Sequence, residues 1–330
     1  MKDILNKLIT HKTLSKEEAK NTLVNISSGK YNSSYVTSFL TVYMMRNITL
    51  EELEGFKDAL MDLCIPVDLK DYNTIDLCGT GGDNKNTFNI STISAFVTAG
   101  AGIKVAKHGN YGVSSSCGSS NVLENLGIKF SNNQSFLKNC IEKSGICILH
   151  APLFHPAMKH VAPIRKELGL KTFFNMLGPL VNPSSPKNQM VGVFSLELAR
   201  LYSYLFQKSN QNFSIIHSLD GYDEVSLTGN VKIISNESEK ILEPSDFNLN
   251  ILNPKSIIGG KSILESAKIF MNILNNNGTT QQNNVVMVNS GIAISTVENI
   301  SIKVGIEKAK ESLISGKALN AFKTLKNLSK

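Results

Sequence analysis

Over the first 70 residues the apolar positions recur at helical spacing. Ile4, Leu5, Leu8 and Ile9 share one helical face. Ser15-Lys16-Glu17-Glu18 has the spacing of a capping box and opens a second helix through Ala19, Leu23 and Ile26. Ser33 or Ser34 starts a third, with Val36, Phe39, Leu40 and Tyr43 buried. Thr49-Leu50-Glu51-Glu52 is a second capping box, opening a helix with Leu53, Phe56, Leu60 and Leu63 on one side, and Pro66 ends it. These stripes predict a small N-terminal α-helical domain over residues 1–70.

From Asn73 the pattern changes. Short apolar runs at Ile75 to Cys78, Val105 to Lys107, Cys147 to Leu149, Met190 to Val193, Ser214 to Ile216 and Val285 to Val288 alternate with helical segments. Strand and helix in alternation predict an α/β domain over 71–330 with a mainly parallel central sheet flanked by helices. In such a sheet ligands bind beyond the carboxyl ends of the strands. Asn275 to Gly278 and Gln281 to Asn284 read together as one exposed loop.

The first strand runs into Gly79-Thr80-Gly81-Gly82-Asp83, followed by Phe88-Asn89-Ile90-Ser91-Thr92. Glycines let a backbone approach a ligand closely and leave amides free to face an anion, and a helix start adds its own unpaired amides. A nucleotide P-loop would need G-x-x-x-x-G-K-[ST], which is not present, and a dinucleotide fingerprint fails because Asn84 holds its third glycine position. A phosphate cradle and a plain tight turn both remain open on these residues alone.

Composition narrows the class. Of 330 residues, 42% are apolar and 18% charged, as in a globular protein. Met1 to Lys20 carries scattered charges, so neither a signal peptide nor a membrane anchor is expected there. The odd set Cys64, Cys78, Cys117, Cys140 and Cys147 contains no C-x-x-C pair, which argues against a disulfide framework or a zinc site and for a cytoplasmic setting. The net charge of +7 is spread without long basic runs or interleaved aromatics, so it suits an anionic small ligand better than single-stranded nucleic acid. No nucleic-acid or membrane partner is expected.

Three further blocks carry chemistry. Lys107-His108-Gly109-Asn110 follows the second strand, and Ser114, Ser115, Ser116 and Ser119 lie in the glycine- and serine-rich run after it. Lysine offers a mobile cation for phosphate, hydroxyls and amides add donors, and Ser119 can N-cap a helix over 121–126. His155 precedes Pro156, and Arg165 on the next helix is a candidate to clamp a carboxylate with its planar fork. Asp220-Gly221-Tyr222-Asp223-Glu224 places adjacent carboxylates after a strand, where magnesium with substrate phosphates could be held; an acidic turn is the bland alternative.

Taken in order and spacing, these blocks together with Phe174-Asn175-Met176-Leu177-Gly178-Pro179-Leu180 resemble the anthranilate phosphoribosyltransferases, and the resemblance covers essentially the whole chain. It implies transfer of the phosphoribosyl group of phosphoribosyl pyrophosphate (PRPP) to the amine of anthranilate. It implies Mg2+, two ions, and a homodimer. It also implies a small helical domain hinged on the α/β domain, with residues 156–184 packing against the former or forming the hinge. By position it implies that Gly79, Gly82, Asp83, Thr87, Asn89, Ile90, Ser91, Thr92, Lys107, His108, Gly109, Asn110, Ser114, Ser115 and Ser119 hold PRPP. Gly79, Asn110, His155 and Arg165 would contact anthranilate, and Ser91, Asp223 and Glu224 would bind the metal. His108 and His155 are the candidates for a base; neither is firmly assigned.

Three positions depart from the family pattern. Tyr111 stands where an arginine is usual, Ser116 where a lysine is frequent, and Asn121 where an aspartate is usual. Each lost charge-assisted hydrogen bond would cost about 1.5–3 kcal/mol, so altered PRPP affinity is expected. Two other readings compete. Pyrimidine nucleoside phosphorylases look similar in fold but carry K-H-S-T-G-G where Lys107-His108-Gly109-Asn110 stands. A nucleic-acid-binding paralogue would have no use for the Gly79–Asp83 loop and the Asp223-Glu224 pair.

Overall fold

The computed structural model describes residues 1–112 and 117–330. Two compact units emerge: Met1–Pro66 with Ala151–Pro183, and Val67–His150 with Ser184–Lys330.

In the helical unit, α1 (Lys2–Ile9), α2 (Lys16–Ser27), α3 (Ser33–Met45) and α4 (Leu50–Asp62) are set by their caps. Ser15 and Thr49 both close capping boxes, and Asn32, not a serine, caps α3 by accepting from Tyr35 N. The stripe on α1 is narrower than expected: Leu5 and Leu8 are buried, whereas Ile9, the last helical residue, faces solvent. α4 stops at Asp62, short of Pro66. A Cβ on Gly55 would overlap the Lys16 carbonyl, so this glycine lets α2 and α4 close together.

The chain returns to this unit through α8 (Ala151–Phe154), α9 (Ala162–Leu168) and α10 (Phe174–Leu177). Phe173 stacks on Phe56 at 4.6 Å and lies 6.0 Å from Phe39 and 5.2 Å from Tyr43. Each such aromatic pair adds roughly 0.5–1.5 kcal/mol beyond its buried area, which ties the returning segment to α3 and α4.

Glu52 is a fully buried hub of this unit. It accepts from Leu14 N (2.9 Å), Tyr43 Oη (2.9 Å), Thr49 N (2.9 Å) and Arg46 Nη2. Arg46 in turn lies over the Tyr43 ring at 4.4 Å. Burial works to raise the Glu52 carboxyl pKa, but Arg46 and the amides outweigh it and hold the group below the usual carboxylate range.

In the α/β unit the described residues form one seven-stranded sheet, in the order β3-β2-β1-β4-β5-β6-β7. Its strands are β1 (Thr74–Gly79), β2 (Lys104–Gly109), β3 (Ile146–His150), β4 (Asn188–Gly192), β5 (Asn212–Ser218), β6 (Val231–Ser235) and β7 (Glu239–Leu242). β1 to β5 are parallel, and β6 and β7 extend the edge antiparallel. Helices α5 (Ile90–Gly100), α6 (Ser119–Asn125), α7 (Gln134–Ser144), α11 (Leu196–Gln207), α12 (Ile263–Leu274), α13 (Thr280–Glu298), α14 (Ile302–Ile314) and α15 (Lys317–Leu328) complete it.

Two expectations fail at α13. Val285 to Val288 is not a strand, and Gln281 to Asn284 is not a loop; both lie in this helix, which Thr279 and Gln282 start with a capping box. The connection from α12 is the turn at 275–279. Apart from Met287 the helix is buried from Val285 to Ile294 among β1, β4, β5, α5 and α14, so it shows no amphipathic period. A short β-branched run bounded by polar residues cannot be told from a strand by periodicity. Among the described residues no single helix is long and apolar enough to cross a membrane.

Glu52→Ala should destabilise the protein by about 3–5 kcal/mol at pH 7, because it leaves the Arg46 charge and three other donors without their acceptor. Urea unfolding followed by far-ultraviolet circular dichroism checks this. With the carboxyl pKa held low in the fold, the contribution is present above the ordinary carboxylate pKa and is lost as pH falls through the folded value. The wild-type and Ala proteins should therefore converge in stability toward low pH.

Candidate active site

The glycine loop leaves the carboxyl end of β1 as expected from its sequence. Gly81 and Gly82 have φ of 63° and 74°, and Asn84 follows at 57°, so the chain turns through left-handed conformations that glycine and asparagine tolerate. Asp83 closes the turn by accepting from Lys85 N at 3.0 Å. Lys85 Nζ lies 4.6 Å from the centre of the Tyr222 ring.

Onto this loop the structure brings the acidic pair from far along the chain. Gly81 N donates to Asp223 Oδ2 at 2.7 Å, and Ser91 N, in the first turn of α5, donates to Glu224 Oε1 at 2.9 Å. Thr87 Oγ1 reaches Glu224 Oε2 at 3.5 Å. Two glycines allow this approach. A Cβ on Gly79 would overlap the Asp223 carboxylate, and one on Gly192, at the end of β4, would overlap the Asp223 carbonyl. Gly192 was not singled out from the sequence, although a glycine inside a strand signals a close backbone approach.

The residues behind the pair were also missed. Asn289 on α13 is buried; its Oδ1 accepts from Val225 N at 3.1 Å and its Nδ2 donates to Val225 O at 2.9 Å. Ser218 Oγ donates to Glu224 O at 2.6 Å. Residues 257–259 fasten the loop before α5. Phe88 N donates to Ile257 O at 3.2 Å, Gly259 N donates to Asn86 O at 2.7 Å, and Thr87 pairs with Ile258.

These carboxylates are electrostatically loaded. Burial, then the neighbouring charges of Glu224 and Asp83, push the Asp223 carboxyl well above the usual range. Glu224 is pushed up to about 7, by burial first and by Asp83, against the pull of Ser91 N and Lys107. The oxygens of Asp223 and Glu224 are of the kind that a hard divalent cation prefers, although among the described residues no three Asp, Glu, His or Cys side chains are gathered closely enough to hold a metal by themselves.

Lys107 differs from the expected mobile cation. It is 2% exposed on β2, and its Nζ donates to Leu77 O at 2.6 Å. His108 and Thr92 are buried, as is Ile90, whose N donates to Phe88 O at 2.6 Å. His108 N donates to Asp76 Oδ1 at 3.1 Å. Asn89 Nδ2 donates to Cys117 O at 3.0 Å, which joins the two loops.

The turn at Gly109-Asn110 is held by the start of α6. Ser119 is not an N-cap but the first residue of that helix; its Oγ donates to Asn110 O at 3.2 Å, and Ser120 N donates to the same oxygen at 3.1 Å. Two of the departing residues find roles here. Asn121 Oδ1 accepts from Gly112 N (2.9 Å) and Gly118 N (3.0 Å), an acceptor's task that an amide oxygen performs as an aspartate would. Tyr111 packs its edge on His150 at 4.8 Å. Ser114, Ser115 and Ser116 lie outside the described residues.

Gly79 and Asn110 belong to the α/β unit; His155 and Arg165 belong to the helical unit. His155 is buried with Nε2 at 2.9 Å from Val181 O, and burial lowers its pKa. Arg165 is half-buried, over the Phe174 ring at 5.1 Å, with Nη2 donating to Asn175 Oδ1 at 3.3 Å. Its buried Nε has no hydrogen-bond partner among the described residues. Burial brings its pKa down to about 10, so the guanidinium stays charged at neutral pH.

Residues 71–319 match the glycosyl transferase family a/b domain, and residues 2–64 match the helical bundle domain of the same family. Fold and site together define a two-part glycosyl transferase. Within that class the chain belongs to the anthranilate phosphoribosyltransferase family. It is 68% identical over 329 residues to the anthranilate phosphoribosyltransferase of Flavobacterium psychrophilum and 65% identical to that of Flavobacterium johnsoniae, covering 100% of both chains in each case. The solved anthranilate phosphoribosyltransferase of Thermus thermophilus is similar with a TM-score of 0.91 at 30% identity, covering 98% of each chain. That of Saccharomyces cerevisiae in complex with PRPP and Mg is similar with a TM-score of 0.89 at 30% identity, covering 98% of this chain and 96% of that one.

Gly192→Ala should displace the Asp223 backbone while leaving the strand intact. A shift near 1 Å costs on the order of 100-fold in rate when it misplaces binding groups. Turnover should fall by about that factor with an unchanged circular dichroism spectrum; a rate within about two-fold of wild type would remove Asp223 from the functional site.

Proposed function

We infer that this chain transfers the phosphoribosyl group of PRPP to the amine of anthranilate, releasing pyrophosphate and giving N-(5-phosphoribosyl)anthranilate, the second step of tryptophan synthesis from chorismate. The observation that carries the reading is the meeting of Gly81 N and Ser91 N with the Asp223-Glu224 pair beside a glycine loop. It is supported by end-to-end similarity to enzymes of that name. A cytoplasmic homodimer is part of the same proposal.

In this reading the amine nitrogen forms its bond to the anomeric carbon as the bond to pyrophosphate breaks. The electron pair leaves with pyrophosphate, and the amine gives up a proton. The backbone of Gly79 to Asp83, the start of α5 with Asn89, Ser91 and Thr92, and the Gly109-Asn110 turn supply donors to PRPP. Lys107 contributes its charge from within the sheet. Ser91, Asp223 and Glu224 are the residues that would hold Mg2+, and the all-oxygen donor set with its raised carboxyl pKa values fits a cation. Bound magnesium would offset the charge gathering on pyrophosphate.

Arg165, with its charge retained and Nε without a partner among the described residues, suits the anthranilate carboxylate. An aromatic amine is already unprotonated at neutral pH, so alignment contributes more than activation. No base is assigned. The contact of His155 Nε2 with Val181 O suits a positioning role.

Arg165→Ala should raise the KM for anthranilate about 10- to 100-fold, the value of a charge-assisted hydrogen bond, with a smaller effect on the KM for PRPP. Steady-state rates from the loss of anthranilate fluorescence test this, and equal effects on both substrates would refute the role. Asp223→Asn combined with Glu224→Gln should abolish the magnesium stimulation of turnover, with thermal unfolding preserved. Near-normal rates in that double variant would show that the metal is held elsewhere.

A further inference from the structure

His150 is the last residue of β3 and pairs in register with Gly109 on β2, so its ring stands beside the Asn110 turn. It is buried and held on three sides. Phe130 stacks on it at 4.5 Å, Tyr111 meets it edge-on at 4.8 Å, and its Nδ1 is 2.8 Å from Ser120 Oγ. Ser120 is itself buried, and its N donates to Asn110 O at 3.1 Å. Ser119 Oγ donates to the same oxygen. Asn110 Oδ1 accepts from Tyr111 N at 2.8 Å. The exposed Asn110 side chain therefore has its acceptor end committed, and among the described residues its Nδ2 donor end is left for a ligand oxygen.

We propose that His150 and Ser120 are a positioning pair: the imidazole fixes the serine, and the serine fixes the Asn110 turn for PRPP. The inference rests on the reading of that turn as part of the PRPP site. The ring touches both the start of α6, through Ser120, and the turn itself, through Tyr111. Burial keeps it neutral, with only Glu124 acting to raise its pKa, so it can form this bond to a hydroxyl at neutral pH without carrying a charge into the core.

The test is a double-mutant cycle on steady-state kinetics with full-length protein. Ser120→Ala and His150→Phe, the latter keeping the aromatic contacts, should each raise the KM for PRPP about 10-fold with kcat within about 2-fold, the scale of one buried hydrogen bond. The combined variant should be no worse than the poorer single one, because both remove the same link. His150→Asn, whose amide offers both an acceptor and a donor near the position of Nδ1, should recover part of the loss. Additive effects in the double variant, or no recovery with Asn, would mean the two residues matter only for packing and would overturn the pair. Asn110→Ala serves as the reference. If it raises the KM for PRPP while Ser120→Ala does not, the positioning inference fails alone. If Asn110→Ala leaves that KM unchanged, the assignment of the turn to PRPP falls, and the inference with it.

Discussion

The α/β unit is organised around two backbone-to-carboxylate contacts, Gly81 N to Asp223 and Ser91 N to Glu224. They join segments more than 130 residues apart, and they require two carboxylates and a third, Asp83, to share a poorly solvated space. Much around them serves that requirement. Gly79 and Gly192 give up their side chains to admit the acidic segment, and Asn289 and Ser218 fix its backbone from behind. The segment 257–259 pins the loop that ends at the start of α5. Under the proposed function, a bound cation would relieve this crowding of carboxylates.

Glu52 in the helical unit shows the opposite outcome for the same kind of group. Both are withdrawn from solvent, yet the Glu52 pKa is lowered where that of Glu224 is raised. The difference lies in the partners. Glu52 meets two backbone amides, a tyrosine hydroxyl and an arginine, whereas Glu224 has one amide, a long contact to a threonine, and other carboxylates nearby. One carboxylate is satisfied and holds a fold together; the other keeps an electrostatic demand that a ligand can meet.

The second loop shows how residues that depart from the family pattern are accommodated. Asn121 keeps the acceptor that gathers Gly112 N and Gly118 N, so the geometry of the turn does not need a charge there. Tyr111 exchanges a cation for an aromatic edge against His150. At these two positions the described part of the loop uses an aromatic contact and an amide oxygen.

Local chemistry determined the capped helices α2 and α4, the strands β1 to β5 and the glycine loop, because caps, short apolar runs and glycine clusters act over a few residues. The acidic pair and Arg165 were not legible in this way: taken alone, an acidic turn and a surface arginine are common, and only the order of several blocks along the chain set them apart. Tertiary structure alone decided the rest. α13 reads as a strand and polar loop because a helix buried all round has no polar face to betray its period, and with it went Asn289. Gly192, residues 257–259 and His150 carry meaning only through partners distant in the chain. Lys107 has the sequence of a mobile cation, but its place on a central strand buries it against Leu77 O. Whether a polar group is satisfied, displaced or left open for a ligand depends on what the fold brings to it, and that information is not local to any stretch of sequence.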